Sequence, residues 1–276
     1  MGVKMERKHR DIYLGVLIIC ITFIVIAGFL LSKEVVKRHT LYYFTRIYKT
    51  ETVKTSLITP RKEVSVVTSK TKSANIIDSV YLDSKWMLSF EAITADKGSF
   101  FAFFVSSVDG LNRKRRCVYK LPFADKYENM YERSMAYYGT FLRAYKNITF
   151  TFAHLPYIVV FTGEGCPLTI IKTKDGVPNP VIIQYKDYYL YKRGETFSSN
   201  ISAYVKKDNV YVFSYRIPTD SKQFIADVYD LGTKKYKYSL NVYNENSENN
   251  IDIKRFHADS LSVCLETKKG YYQLIN

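Results

Sequence analysis

Two patterns of apolar residues divide the chain, and they call for different surroundings. The first is unbroken. Residues 12–31, IYLGVLIICITFIVIAGFLL, hold twenty residues and no charge, and fourteen of them are Leu, Ile, Val or Phe. At ~1.5 Å rise per residue such a helix spans about 30 Å, the hydrocarbon thickness of a bilayer. The fourteen contribute on the order of −4 to −8 kcal/mol to insertion. A helix without a polar face has nothing to turn toward water, which argues against a buried core helix. The run also exceeds the ~7–15 apolar residues of a cleaved signal peptide. Leu31-Ser32-Lys33-Glu34 offers no small-x-small cleavage site. The expectation is an uncleaved signal anchor over residues 12–32 that contacts the lipid bilayer. A tail of residues 1–11 precedes it and a juxtamembrane connector of residues 33–50 follows.

The second pattern begins near Thr52 and consists of short β-type runs. They are Val64–Thr68, Trp86–Phe90, Phe100–Val105, Tyr157–Phe161, Thr169–Ile171, Val210–Tyr215, Phe224–Tyr229, Tyr236–Val242 and Leu261–Leu265. Val, Ile, Tyr and Phe fill them, and Asp, Asn, Gly or Lys interrupt them, as strands and their turns require. Hairpin turns are expected at Asp230-Leu-Gly-Thr, at Gly163-Glu-Gly165 and at Asp109-Gly110. The stretch 124–143 has room for one short helix. Residues 51–276 therefore read as a mostly or wholly β domain.

A loose repeat runs through it. Asp83-Ser-Lys-Trp-Met-Leu-Ser-Phe, Asp208-Asn-Val-Tyr-Val-Phe-Ser-Tyr and Asp259-Ser-Leu-Ser-Val-Cys-Leu-Glu each place a polar turn before an alternating strand, and Leu155-Pro-Tyr-Ile-Val-Val-Phe fits more weakly. The last three begin about fifty residues apart, the length of a four-stranded propeller blade. The stretches FIADVYDLGTKKYKYSLNV, IDIKRFHADSLSVCLETKKGYYQLI and YIVVFTGEGCPLTIIKTKDGVPNP carry a resemblance to TolB-like six-bladed β-propellers, in particular the small, N-terminally anchored members of the Gram-negative cell envelope. The resemblance implies an all-β, propeller-like ectodomain of about five or six blades behind a single transmembrane α-helix, and it names no active site. The chain ends too soon after Asp259 for a whole blade. A strand from just after the anchor, with Val64–Thr68 as the candidate, is expected to cover the open edge. An open β-sandwich or irregular sheet is the alternative.

Composition changes this picture in three places. Net charge is +15. Nine basic and three acidic residues fall within residues 1–50, which leaves +9 for the β domain. A basic chain raises the question of nucleic acid, but no groove-reading motif is present and none is expected as partner. Basic residues flank the apolar run on both sides, so orientation rests on the short tail staying inside, because long domains translocate largely regardless of charge. The expected location is the cytoplasmic (inner) membrane, single-pass, with the C-terminal domain on the periplasmic or extracytoplasmic side. The densest charge run, Arg113-Lys114-Arg115-Arg116, is either a solvated loop or a contact with lipid headgroups or an acidic envelope partner.

Aromatic residues make up 16%, with 25 Tyr and 17 Phe. Strand packing accounts for them more simply than a carbohydrate- or peptide-binding surface. Histidine is scarce, and only His154 and His257 lie in the domain. His257-Ala-Asp259 reads as a turn, and Gly163-Glu-Gly165 lacks the Gly-Lys-Ser/Thr of a phosphate loop. Cys117, Cys166 and Cys264 allow at most one disulfide within the domain. Asn147-Ile-Thr149 and Asn200-Ile-Ser202 match the glycosylation sequon. No catalytic, cofactor-binding or metal residue is assigned. The reading is a membrane-anchored binding or scaffold protein of the cell envelope and not an enzyme. The alternatives are a bitopic component of a secretion or conjugation apparatus, and a propeller hydrolase or lyase.

Overall fold

The computed structural model describes residues 21–26, 48–58, 76–95, 98–108, 115–121, 127, 129–215, 224–244, 253–258, 263–267 and 270–275. The chain divides into two compact units, Met1–Tyr42 and Tyr43–Asn276.

In the first unit, residues 21–26 are helical. Ile21, Phe23, Ile24, Val25 and Ile26 are each 51–73% exposed. Consecutive residues of a helix point in directions 100° apart, so this stretch is apolar on every side. The rest of the expected anchor, residues 12–20 and 27–32, lies outside the described residues. Among those described, no helix is long and apolar enough to cross a membrane.

The second unit is built from strands, as the alternating runs foretell. Its repeating element is a four-stranded antiparallel meander. Ile76–Tyr81 (β2), Trp86–Ala95 (β3), Gly98–Ser107 (β4) and Arg115–Lys120 (β5) form one such sheet. Gly139–Ala144 (β6), Asn147–Phe152 (β7), Tyr157–Thr162 (β8) and Pro167–Lys172 (β9) form a second. Ile182–Tyr185 (β10) and Tyr188–Tyr191 (β11) pair as an isolated hairpin. Ser202–Lys206 (β12), Asn209–Tyr215 (β13), Phe224–Asp230 (β14) and Tyr236–Asn244 (β15) make a third meander. It continues through Tyr48–Ile58 (β1) into Gly270–Ile275 (β18), Val263–Thr267 (β17) and Ile253–Ala258 (β16), giving eight strands in one sheet. Among the described strands all pairings are antiparallel except β1 with β15.

One edge of the β16–β18 group is covered by β1, a strand that begins at Tyr48. β1 pairs with β18, Lys54 to Ile58 running against Ile275 to Tyr271. Val64–Thr68 lies outside the described residues. No sheet closes on itself into a barrel or propeller among the described residues.

The middle meander explains why its strands read as near-continuous apolar runs. It is buried on both faces. Ile148, Phe150 and Phe152 on β7 and Val159 and Phe161 on β8 pack against Phe90, Phe101 and Phe103 of the first meander. Ile158, Val160 and Ile171 pack the other way, against Ala203, Val205, Val210, Val212 and Tyr229 of the third. Phenylalanine supplies the first interface: Phe90 stacks on Phe103 at 4.5 Å between ring centres, and Phe150 meets Phe103 edge-on at 5.1 Å. Much of the aromatic excess is thus strand packing.

One helix, Met130–Ala136, connects the first two meanders inside the expected stretch 124–143. Asn129 caps it by accepting a hydrogen bond from the Glu132 amide at 2.9 Å. Gly139 then opens β6. A Cβ there would run into the Thr151 carbonyl and sit 2.7 Å from the Phe150 ring, so only glycine fits against the neighbouring strand.

The sequence repeat has a structural meaning. Asp83 and Asp208 both lie in the turn before the second strand of a meander, and the Asp259 segment precedes β17, the second strand of the β16–β18 group. Asp83 shows what the acid does: its carboxylate accepts the amides of Lys85 and Trp86 at 2.6 and 2.8 Å. Leu155 precedes a third strand, which accounts for its weaker match.

Candidate functional site

The turns at one end of the first two meanders enclose a cavity of about 960 Å³. That is within the range of ligand pockets. The β2–β3 turn supplies Leu82, Asp83 and Trp86, and the adjoining strands supply Val105 and the start of β5. The β6–β7 end supplies Arg143 and Lys146, and the β8–β9 turn supplies Thr162, Gly163 and Glu164. Four cations thus face two carboxylates.

The turns are held tightly. Thr162 accepts the amides of Glu164 and Cys166 on its hydroxyl at 3.3 and 3.1 Å, and the Thr162 amide donates to the Cys166 carbonyl at 2.8 Å. Gly165 turns with φ +79, and a Cβ there would lie 3.0 Å from Leu82 and from Val105. This is the hairpin turn expected at Gly163-Glu-Gly165, and its job is to let two sheet ends approach each other.

The four cations are not equivalent. Arg115 is engaged: it pairs with Glu91 at 2.6 Å and its guanidinium lies 3.9 Å over the Phe104 ring. Glu91 is itself buried and accepts the Ser89 hydroxyl, so removing Arg115 would leave a buried carboxylate without its cation. Arg143 is aimed by the backbone, donating to the carbonyls of Tyr81 and Leu82. Arg116 and Lys146 are exposed, and their side chains make no ion pair or hydrogen bond to another described residue.

The basic run singled out in the sequence therefore splits. Arg115 and Arg116 reach the cavity, whereas Arg113 and Lys114 lie outside the described residues. Arg143, Lys146 and Trp86 were not legible as site residues, because their convergence is tertiary: Lys146 follows Arg116 by thirty residues. Among the described residues that line the cavity there is no His and no Cys. Four cations against two carboxylates, with Trp86 as an apolar wall, are an arrangement chemically suited to an anionic group.

The other sequence candidates fall elsewhere. His154 lies in the β7–β8 turn, where its Nδ1 is 3.1 Å from the Phe197 carbonyl and burial holds its pKa below the usual histidine value. His257 is on β16, opposite Cys264, and Asp259 lies outside the described residues. Cys117 and Cys166 are exposed free thiols. Asn200 is buried, its amide donating to the carbonyls of Phe152 and Leu155, so that sequon match serves the interior. Among the described residues no cluster of His, Cys, Asp and Glu could hold a metal ion. Comparison with known protein families and with curated proteins returns no match.

Proposed function

We propose that the chain is a single-pass, membrane-anchored binding or scaffold protein of the cell envelope, whose β domain grips a partner through an anionic group. The observation that carries this is the basic cavity, where Arg116 and Lys146 stand uncommitted beside a backbone-held Arg143. Buried cations are normally paired within the protein. Cations left at a cavity mouth instead favour a partner of opposite charge and speed its encounter. The apolar residues 21–26, helical and exposed on every side, support the anchor.

The architecture we propose for the head is propeller-like, as the TolB-like resemblance implies. Three four-stranded meanders stacked face to face, and a strand near the anchor completing the β16–β18 group, support that reading. Propellers gather their turns at two ends, and the basic cavity is formed from such turns. The proposed location is the cytoplasmic membrane with the head on the extracytoplasmic side.

The test is capture of envelope partners by the full-length protein in mild detergent. Arg116→Glu with Lys146→Glu is expected to lower capture at least tenfold at low salt and to flatten its salt dependence, because the screened charges are gone. Arg115→Lys serves as the comparison, since it alters a cation already engaged by Glu91. Undiminished, equally salt-sensitive capture by the double variant would overturn the assignment of the cavity.

A further inference from the structure

The β10–β11 hairpin reverses the usual arrangement of a surface ribbon. Its register sets Ile183 opposite Leu190 and Tyr185 opposite Tyr188. Directly opposed residues share a face, and the two-residue period of a strand puts both pairs on the same one. A solvated outer face is ordinarily polar. Here Ile183, Leu190, Tyr185 and Tyr188 are 41%, 48%, 58% and 69% exposed.

The other face fixes the hairpin to the domain. The Tyr191 hydroxyl donates to the Met135 carbonyl at 2.7 Å, and its ring lies 4.3 Å from that of His154. Burial, and then the neighbouring Tyr138, push the Tyr191 hydroxyl up to about 12, so it remains a donor at any physiological pH. Tyr189 stacks on Tyr131 at 5.7 Å and accepts a hydrogen bond from the Asn129 amide at 3.3 Å. At the base, Val181 exchanges hydrogen bonds with the Thr196 hydroxyl in both directions. A two-stranded ribbon alone is marginal in water. This one is held from behind while its front stays bare.

The ends of the hairpin carry three cations against two acids. Lys186 at the tip extends over the Tyr185 ring at 5.5 Å, and Lys192 and Arg193 stand exposed at the other end. Asp187 is the acid between them, and Glu195 pairs with Lys192. Aliphatic tips, tyrosines with an apolar body and a polar end, and surrounding cations are the composition that suits the headgroup level of a bilayer. The cations complement anionic lipids.

We propose that the outer face of the β10–β11 hairpin docks on an anionic bilayer surface, holding the β domain down on the membrane to which residues 12–32 are proposed to tether it. The proposal takes its bilayer from the anchor reading but rests on different residues.

The test uses the full-length chain in lipid nanodiscs, either of phosphatidylcholine alone or of equal parts phosphatidylcholine and phosphatidylglycerol. Tyr188→Cys carries an environment-sensitive fluorophore in a background with Cys20, Cys117, Cys166 and Cys264 replaced by Ser, and Thr233→Cys on the β14–β15 turn is the control. Docking predicts blue-shifted emission at position 188, quenched several-fold more by spin-labelled lipid than at position 233. It also predicts that anionic lipid strengthens the effect and that Lys186→Glu with Arg193→Glu removes it. Hydrogen exchange of residues 182–191 in the unmodified protein gives a second reading, slower in anionic discs than in detergent. Lipid-independent emission together with unchanged exchange would overturn the proposal, as would protection that depends on protein concentration and not on lipid, which marks a second copy. Elution free of the discs would instead refute the anchor, so the two failures are separable.

Discussion

A chain lacking Tyr48–Ile58 is expected to lose its native fold. β1 is hydrogen-bonded on both sides, parallel to β15 and antiparallel to β18. Lys54 and Thr55 are paired on both sides at once, with Tyr243 and Ile275 and with Asn244 and Leu274. Removing the strand cuts an eight-stranded sheet into a meander and a three-stranded remnant. It also leaves β15 and β18 with open edges, which invite pairing between chains. A milder probe is Thr55→Pro. Proline removes a donor from a strand bonded on both flanks, whereas within sheets it is found essentially only at edges or bulges. Circular dichroism melts and sedimentation of the detergent-purified protein give the readout. We expect Thr55→Pro to melt well below the parent and the deletion to aggregate without a cooperative transition. A cooperative melt of the deletion variant at the parent temperature would show that β1 is an appendage.

Phe150→Ala is the second large effect. Phe150 is fully buried on β7, and its ring centre lies 4.8 Å from Phe90, 5.1 Å from Phe103, 4.8 Å from Phe141 and 5.0 Å from Phe152. Truncation removes the shared member of this cluster and leaves a cavity that the flanking strands cannot close, since the middle meander is packed on its other face as well. The expected cost is about 3–5 kcal/mol. Domains of ordinary stability hold only about 5–15 kcal/mol, so most of the margin would go. Denaturant unfolding measures it. Phe141→Ala, which removes a partly buried ring on the edge of the same cluster, is expected to cost clearly less. Equal losses would mean that the cluster does not centre on Phe150.

The strands most legible in the sequence are those whose side chains make the core. Phe100–Val105, Tyr157–Phe161 and Val210–Tyr215 announce themselves because burial demands Phe, Val, Ile and Tyr. The strand β1 does not. Its sequence, YKTETVKTSLI, is rich in Lys, Thr and Glu, and it is a strand because β15 and β18 bond to it, a tertiary cause that no local pattern reports. β10 and β11 were missed for the opposite reason, since their apolar alternation faces outward. The turns Tyr145-Lys146, Lys186-Asp187 and Lys207-Asp208 lack glycine, yet Tyr145, Lys186 and Lys207 take φ of 55, 54 and 54, so the usual turn signal is absent where the turn is tightest. Of the cavity, the Arg115–Arg116 end was visible as a charge run. Arg143 and Lys146 became visible only when the β6–β7 end met the β8–β9 turn.

A permanent tether before a strand-built head is tested by fractionation of broken cells, followed by alkaline carbonate washing of the membranes and added protease on spheroplasts. The intact chain is expected to stay in the carbonate-washed pellet, to leave it only with detergent, and to lose its head to protease from outside. Recovery of the full-length chain in the supernatant without detergent would contradict it.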